Sequence, residues 1–281
     1  MHHLLDLESL TPEQINEIFA LTDQLRLEQP GDPLHGKTFA LFFPETSLRT
    51  RITFEKGIYR LGGQSLLFPP ETLDRPEALS DVIQYLQNWA DGVIVRHASF
   101  SKLVELSAHA SIPVINAMTA DNHPCEILSD LYSIHTLREN YRDLVYTFVG
   151  PATNISRSWA SIAKIMDLTF YHVCTEGNEI GESSRNYTFH TDLEAILPLS
   201  DVILTDSLRP EFLTEEYISK YQITLERMQL TRKDAMFNPC PPFFRNEELS
   251  EDVISSRYFV GYGFKKNLLF LQQAVILYSL D

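Results

Sequence analysis

The chain has 281 residues, 44% hydrophobic and 22% charged, enough to bury one large core or two smaller ones, and two domains are expected. Its formal net charge of −15 repels polyanions at long range, which excludes nucleic acid and acidic membrane surfaces as general partners but leaves room for a small anion held by a local basic pocket. The three cysteines, Cys125, Cys174 and Cys240, are far apart and form neither a CxxC pair nor a zinc-like cluster, and no apolar run reaches the roughly 18 to 20 residues of a membrane span.

A reducing, cytoplasmic setting fits the cysteines, and the start, MHHLLDLESL, has neither the basic flank nor the apolar stretch of a signal peptide. The first amphipathic helix runs through SLTPEQINEIFALTDQL, with Thr11 or Ser9 as cap and Pro12 in its first turn. Thr38 to Phe43 (TFALFF) has the pattern of a buried strand, followed by a turn at Pro44 and a helix from about Ser47 with Phe54, Ile58 and Leu61 on one face. Gly62-Gly63 ends that helix. Leu79, Val82, Ile83 and Leu86 mark another; Asp91-Gly92 turns into a strand, Val93 to Val95, with Arg96 at its end. Lys102 to His109 is helical, Ile112 to Asn116 is a strand, and Ile127, Leu131 and Ile134 place a helix after the loop carrying His123.

The alternation restarts with a strand at Val145 to Val149, a helix from Ser156 to Met166, and strands near Leu168 to Cys174, Val202 to Leu204 and Ala235 to Phe237. The last stretch, KKNLLFLQQAVILYSL, is a mostly apolar helix that needs a large surface to cover it. The fold class is α/β, with two doubly wound parallel-sheet domains.

In such sheets ligands sit beyond the carboxyl ends of the strands, and three strand ends carry the informative residues. After TFALFF comes PETSLRTRITFE, residues 44 to 55, a cationic, hydroxyl-rich turn into a helix. Its free amides and the positive end of the helix dipole suit a phosphate, although it is neither a Walker A loop nor a GxGxxG turn. A capped helix with solvated arginines answers to the same residues, and Arg51 has a structural partner available in Glu55 at i+4. Arg96 and His123 each admit a solvated or structural role when taken alone. Their placement beside the phosphate-type loop favours function.

Together these segments resemble the aspartate and ornithine carbamoyltransferase family. SLRTR with ITFE after it is similar to the family's STRTR segment, VIVRH places its strand-end arginine, and PVINAMTADNHPCEILSD resembles PVIN…HPxQxLxD. In the second half VGPATNISRS resembles the ornithine branch's GDGNN segment, DVILTDS its strand ending in Thr-Asp, and NPCPPFFRNEELSEDVI its HCLP stretch.

The resemblance implies a carbamoyl phosphate-binding domain at 1–138, an acceptor-binding domain at 139–261, and a C-terminal helix at 262–281 packing back on the first. It further implies that Ser47, Leu48, Arg49 and Thr50 hold the phosphoryl group, and that Arg96, His123 and Thr50 polarise the carbonyl oxygen. Glu126 and Cys240 would face the carbamoyl amide. Arg75, in DRPEALSD, takes the place of a lysine that reaches a neighbouring subunit's site, so a homotrimer with shared sites is implied. Asn154, Asp206, Ser207 and Arg209 are the acceptor-binding candidates. Neither metal nor cofactor is called for, and the expected substrates are carbamoyl phosphate and the amine of an amino acid, ornithine-like in the first place, as in arginine biosynthesis.

The sequence departs from the family in four places. Glu126 replaces a glutamine; a carboxylate about 4 Å from an anion costs on the order of 4 kcal/mol at an effective dielectric of 20, so Glu126 must be paired, protonated or faced by a cationic acceptor. Asn238 replaces a histidine and Cys240 a leucine whose backbone carbonyl is the functional part, which makes Cys240 a packing thiol. The SMG motif of the acceptor site is missing. Leu268 stands where the ornithine branch has an arginine. The alternative they raise is a catalytically silent homologue that binds carbamoyl phosphate or a partner subunit, and a general phosphate-ester binder is a third reading.

Overall fold

The computed structural model describes residues 1–28 and 31–281. They form two compact units, Met1–Ser133 with Lys265–Asp281, and Ile134–Phe264.

In the first unit α1 (Pro12–Leu27) opens with a capping box: Gln14 N–H donates to Thr11 Oγ1 at 3.3 Å, and Thr11 N–H donates to Gln14 Oε1 at 2.9 Å. Thr11, not Ser9, is therefore the cap. Next come β1 (Thr38–Phe42), α2 (Arg49–Arg60), β2 (Gln64–Phe68), α3 (Leu79–Leu86), β3 (Gly92–Arg96), α4 (Phe100–Ala108), β4 (Val114–Met118) and α5 (Pro124–Leu137). The strands make one parallel sheet in the order β2-β1-β3-β4. Ala40, Phe42, Val93 and Val95 alternate onto one face, where Leu79, Ile83, Leu103 and Leu106 of α3 and α4 cover them.

The sheet allows no side chain at Gly92. A Cβ there would lie 2.7 Å from the ring of Phe39 on the neighbouring strand.

Two parts of this unit differ from the sequence pattern. β2 was not expected: QSLLF is an edge strand with Leu66 50% exposed, so it shows neither alternation nor a buried run. β4 begins two residues later than expected because Pro113 has no N–H for the ladder; only its carbonyl takes part, accepting from Val93 N–H at 2.8 Å.

The second unit contains β5 (Val145–Val149), α6 (Asn154–Met166), β6 (Thr169–Val173), β7 (Tyr187–His190), α7 (Leu193–Ile196), β8 (Val202–Thr205), α8 (Glu215–Tyr221), α9 (Leu225–Met228), β9 (Met236–Pro239) and α10 (Glu251–Ile254). Its parallel sheet runs β7-β6-β5-β8-β9, and β7 was not anticipated. Val149, Val173, Ile203 and Phe237 share a core with Tyr217, Tyr221, Leu249 and Val253.

The closing helix α11 (Asn267–Leu280) returns to the first unit and packs on α1 and α2. It has no polar face: Leu271, Ala274, Val275 and Ile276 are all fully buried. Gln273 Nε2–H donates to the Gly57 carbonyl at 3.0 Å, at a point where a Cβ on Gly57 would crowd Gln273 Cγ at 3.2 Å. Glycine lets the two helices approach.

Candidate active site

The strand order fixes where a ligand fits in each sheet. In β2-β1-β3-β4 the chain turns one way from β1 to β2 and the other way from β3 to β4, so the crevice opens between the carboxyl ends of β1 and β3. Pro44–Leu48 leaves β1 there and Arg96 ends β3 there.

The loop after β1 is drawn into tight turns by Ser47 N–H to the Pro44 carbonyl at 2.9 Å and Leu48 N–H to the Thr46 carbonyl at 3.0 Å. These turns delay α2 to Arg49, two residues beyond the expected start. Leu48 occupies the N-cap position with no side-chain cap, which leaves the first-turn amides aimed into the loop. Ser47 and Thr50 are buried, while Leu48 and Arg49 are exposed. The register shift between Val95 and Arg96 re-aims the last side chain of β3, and Arg96 Nη1–H donates to Ser47 Oγ at 3.1 Å. Arg51 pairs with Glu55 at 2.9 Å along the helix, the structural role expected of it.

His123 caps the approach from β4. Its loop is closed by Asn122: Asn116 Nδ2–H and Thr119 Oγ1–H donate to Asn122 Oδ1 at 2.6 and 2.8 Å, and Asn116 also donates to the Leu5 carbonyl at 2.7 Å. Burial drives the His123 imidazole down to about 4; Glu126 opposes the shift, and Arg96 and Lys265 add to it. The ring is therefore uncharged at neutral pH and offers a hydrogen bond in place of a charge. Burial pushes the neighbouring Cys125 thiol up to about 12, so it stays protonated and packs.

Glu126 is paired. Lys265, at the start of the returning C-terminal segment, places Nζ 2.7 Å from Glu126 Oε1 and 2.6 Å from Asp130 Oδ1, one turn along α5. Burial alone would raise the Glu126 carboxyl, but the charge and hydrogen bond of Lys265, with Arg49 adding to them, outweigh it and hold the group below the usual carboxylate range. Nothing local in the sequence pointed to Lys265, which is 139 residues from Glu126.

Arg75 is exposed and makes no ion pair among the described residues. Its segment is held nonetheless: Asp74 Oδ1 takes Lys102 Nζ at 2.6 Å and His97 Nε2 at 3.0 Å, and Lys102 also donates to the Leu73 carbonyl at 2.7 Å.

The second sheet has its switch point between β5 and β8. Asn154 opens α6 directly after β5, behind the Thr153 cap, and Asp206 follows β8 with Oδ1 accepting from Ser207 N–H at 2.9 Å. Arg209 is half exposed, 3.3 Å from Glu211 and over the ring of Phe212, so its charge already has a local partner. Asn238 and Cys240 are buried at the end of β9, and Cys240 N–H donates to the Thr205 carbonyl at 2.9 Å. Glu248, which the sequence did not single out, is buried with Oε1 accepting from Phe244 N–H at 2.7 Å; burial raises its carboxyl to about 7, with Glu247 and Asp206 adding to the shift.

Two parallel α/β units, each with polar side chains at its switch point, define a two-domain α/β protein that binds ligands at its strand ends. Residues 2–136 match the family described as aspartate/ornithine carbamoyltransferase, carbamoyl-P binding domain, and residues 142–279 match its Asp/Orn binding domain. The chain belongs to the aspartate/ornithine carbamoyltransferase family. It is 30% identical to the ornithine carbamoyltransferase of Desulfotalea psychrophila over 98% of this chain and 97% of that one. It is 30% identical to that of Methanobrevibacter smithii over 88% and 89%. The solved ornithine carbamoyltransferase of Pyrococcus furiosus superposes with a TM-score of 0.92 at 26% identity, covering 99% of this chain and 97% of that one. That of Burkholderia thailandensis gives 0.91 at 26%, covering 100% and 99%.

Among the described residues no group of His, Cys, Asp and Glu is placed to hold a metal ion, and no helix is long and apolar enough to cross a membrane.

Proposed function

We propose that this chain transfers the carbamoyl group of carbamoyl phosphate to the amine of an amino acid, with an ornithine-like acceptor favoured over aspartate. The observation that carries the reading is the Arg96–Ser47 contact at the first switch point, beside the uncapped start of α2 and the uncharged, buried His123. The α2 amides with Ser47, Leu48, Arg49 and Thr50 bind the phosphoryl group. Arg96, His123 and Thr50 donate to the carbonyl oxygen.

As the neutral amine attacks, negative charge grows on that oxygen; the C–N bond forms, the C–O bond to phosphate breaks, and phosphate leaves with the electron pair and takes up the proton that the amine gives up. Fixed donors aimed at the developing charge supply the stabilisation, and the mechanism routes no step through a metal or a covalent enzyme intermediate. Glu126 accepts from the carbamoyl NH2, with the Cys240 backbone carbonyl as second acceptor. Asn154, Asp206, Ser207 and Arg209 hold the amino acid.

In this reading residues 1–138 with 262–281 bind the donor and 139–261 the acceptor. Arg75 completes the site of a neighbouring copy in a cytoplasmic homotrimer serving arginine biosynthesis.

The test is phosphate release and carbamoylated product from carbamoyl phosphate with ornithine, aspartate, putrescine and diaminopropionate. Product with ornithine is expected, and turnover with none of the four would overturn the assignment. A second reading, a silent homologue that only binds carbamoyl phosphate, is favoured by Leu268 in the place of an arginine and by the Pro210–Phe212 turn where the SMG motif would lie. Calorimetric binding without turnover would select it.

A further inference from the structure

Glu126 and Asp130 lie four residues apart on one face of α5, both buried, so two like charges share one side of a helix that borders the donor site. Lys265 Nζ sits between them at 2.7 and 2.6 Å, itself only 21% exposed. The charged groups that face this corner come from four elements: Glu126 and Asp130 from α5, Arg49 from the start of α2, Arg96 from the end of β3, and Lys265 from the C-terminal segment. His123 and Cys125 complete the titratable neighbours and are uncharged at neutral pH.

Three cations against two carboxylates leave one net positive charge for an incoming anion. Without Lys265 the corner is neutral, and Glu126 then faces the anion with only Arg49 and Arg96 to offset two buried carboxylates. Leu268, fully inside the same returning segment, supplies no charge of its own.

We propose that Lys265 is a positioning residue of the donor site: it clamps Glu126 as an ionised hydrogen-bond acceptor whose charge is cancelled, so that a carboxylate serves beside carbamoyl phosphate. The proposal rests on the functional reading above. It assigns Lys265 no contact with the substrate. The competing role is a staple that merely fastens the C-terminal segment to α5.

The experiment measures kcat/KM for carbamoyl phosphate, calorimetric binding of carbamoyl phosphate, and thermal stability for wild type, Lys265→Met, Lys265→Arg, Glu126→Gln and the double variant Lys265→Met/Glu126→Gln. Lys265→Met is expected to lose about 100-fold in kcat/KM, a deficit that shrinks as pH falls from 8 to 6, because the abandoned Glu126 takes up a proton when burial is no longer opposed. Lys265→Arg keeps the cation and should stay within about tenfold of wild type.

The double variant removes the cation together with the carboxylate it cancels, so its kcat/KM should lie within about fivefold of Glu126→Gln alone. This comparison stands even where Lys265→Met by itself fails to fold. If the double variant falls more than 50-fold below Glu126→Gln, or if Lys265→Met lowers the melting temperature while leaving kcat/KM and its pH profile unchanged, Lys265 is a staple and the proposal is overturned. A wild-type protein that turns over while the variants behave in that way sinks this inference alone. One that neither binds nor turns over carbamoyl phosphate overturns the functional reading and this inference together.

Discussion

His123→Gln tests the electrostatic logic of the donor corner in a measurement independent of the acceptor. The wild-type imidazole is buried and held near 4, whereas in the unfolded chain it titrates at 6.5. A group whose protonation is resisted in the folded state lets the unfolded state take up the proton first, so stability is lost as pH falls from about 6.5 toward 4. The full difference of roughly 2.5 units corresponds to about 3.4 kcal/mol at about 1.36 kcal/mol per unit. Between pH 7 and pH 4.5 the share realised is about 2.4 kcal/mol, since the unfolded state is nearly all protonated at the lower pH and the folded state only in part.

Gln keeps a donor and an acceptor of similar reach and cannot charge. Urea unfolding followed by tryptophan fluorescence at the two pH values should therefore show wild type losing about 2 kcal/mol more than His123→Gln on acidification. Equal losses in the two proteins would mean that His123 is accessible to protons in the folded state. The uncharged donor assigned to the carbonyl oxygen would then be wrong. The same neutrality predicts that the rate profile shows no His123 ionisation from pH 5.5 upward.

Three further outcomes follow from single contacts. Arg96→Ala removes the donor that joins Ser47 across the switch point and should lower kcat by about 10²–10³, read as phosphate release, with the melting temperature little changed. Glu248 is raised to about 7, so its protonated form favours folding; that contribution stands below the unfolded value of 4.5 and is lost as pH rises through 7. Glu248→Gln should accordingly stabilise the second unit by about 3 kcal/mol at pH 8 and by less than about 1 kcal/mol at pH 5 in urea melts; equal effects at both would refute the shift. Gly92→Ala puts a methyl group against the Phe39 ring and should cost about 1–3 kcal/mol in the same melts, with kcat intact in the folded fraction.

What the sequence disclosed depended on how locally each feature is encoded. The loop from Pro44 to Arg51 could be read because a strand, a turn and a helix start lie within a dozen residues, and the chemistry sits in that order. Arg96 was legible for the same reason, at the end of a buried apolar strand, and His123 in the loop between the next strand and its helix. β2 was missed because an edge strand with exposed Leu66 and Leu67 need not alternate. The start of α2 was misjudged because Ser47, a good cap by residue type, spends its backbone N–H on the Pro44 carbonyl and its hydroxyl on Arg96. The cap preference lost to a tertiary contact.

The acceptor half shows the other limit. Arg209, an acceptor candidate by resemblance, has Glu211 at 3.3 Å and the Phe212 ring beside it, partners set by the Pro210–Phe212 turn that the sequence pattern did not disclose. Glu126 and Leu268, read one at a time, looked like two losses: an added negative charge in an anion site and a missing positive one. The fold joins them through Lys265, which opens the same KKNLL stretch that carries Leu268. Lys265 enters three positions before Leu268 on the returning segment and meets Glu126 across 139 residues of chain, so the extra carboxylate is offset by a cation from the same segment that lacks the arginine. A compensation of that length has no periodicity and no motif, and only the packing of the C-terminal segment on the first unit brings it within reach.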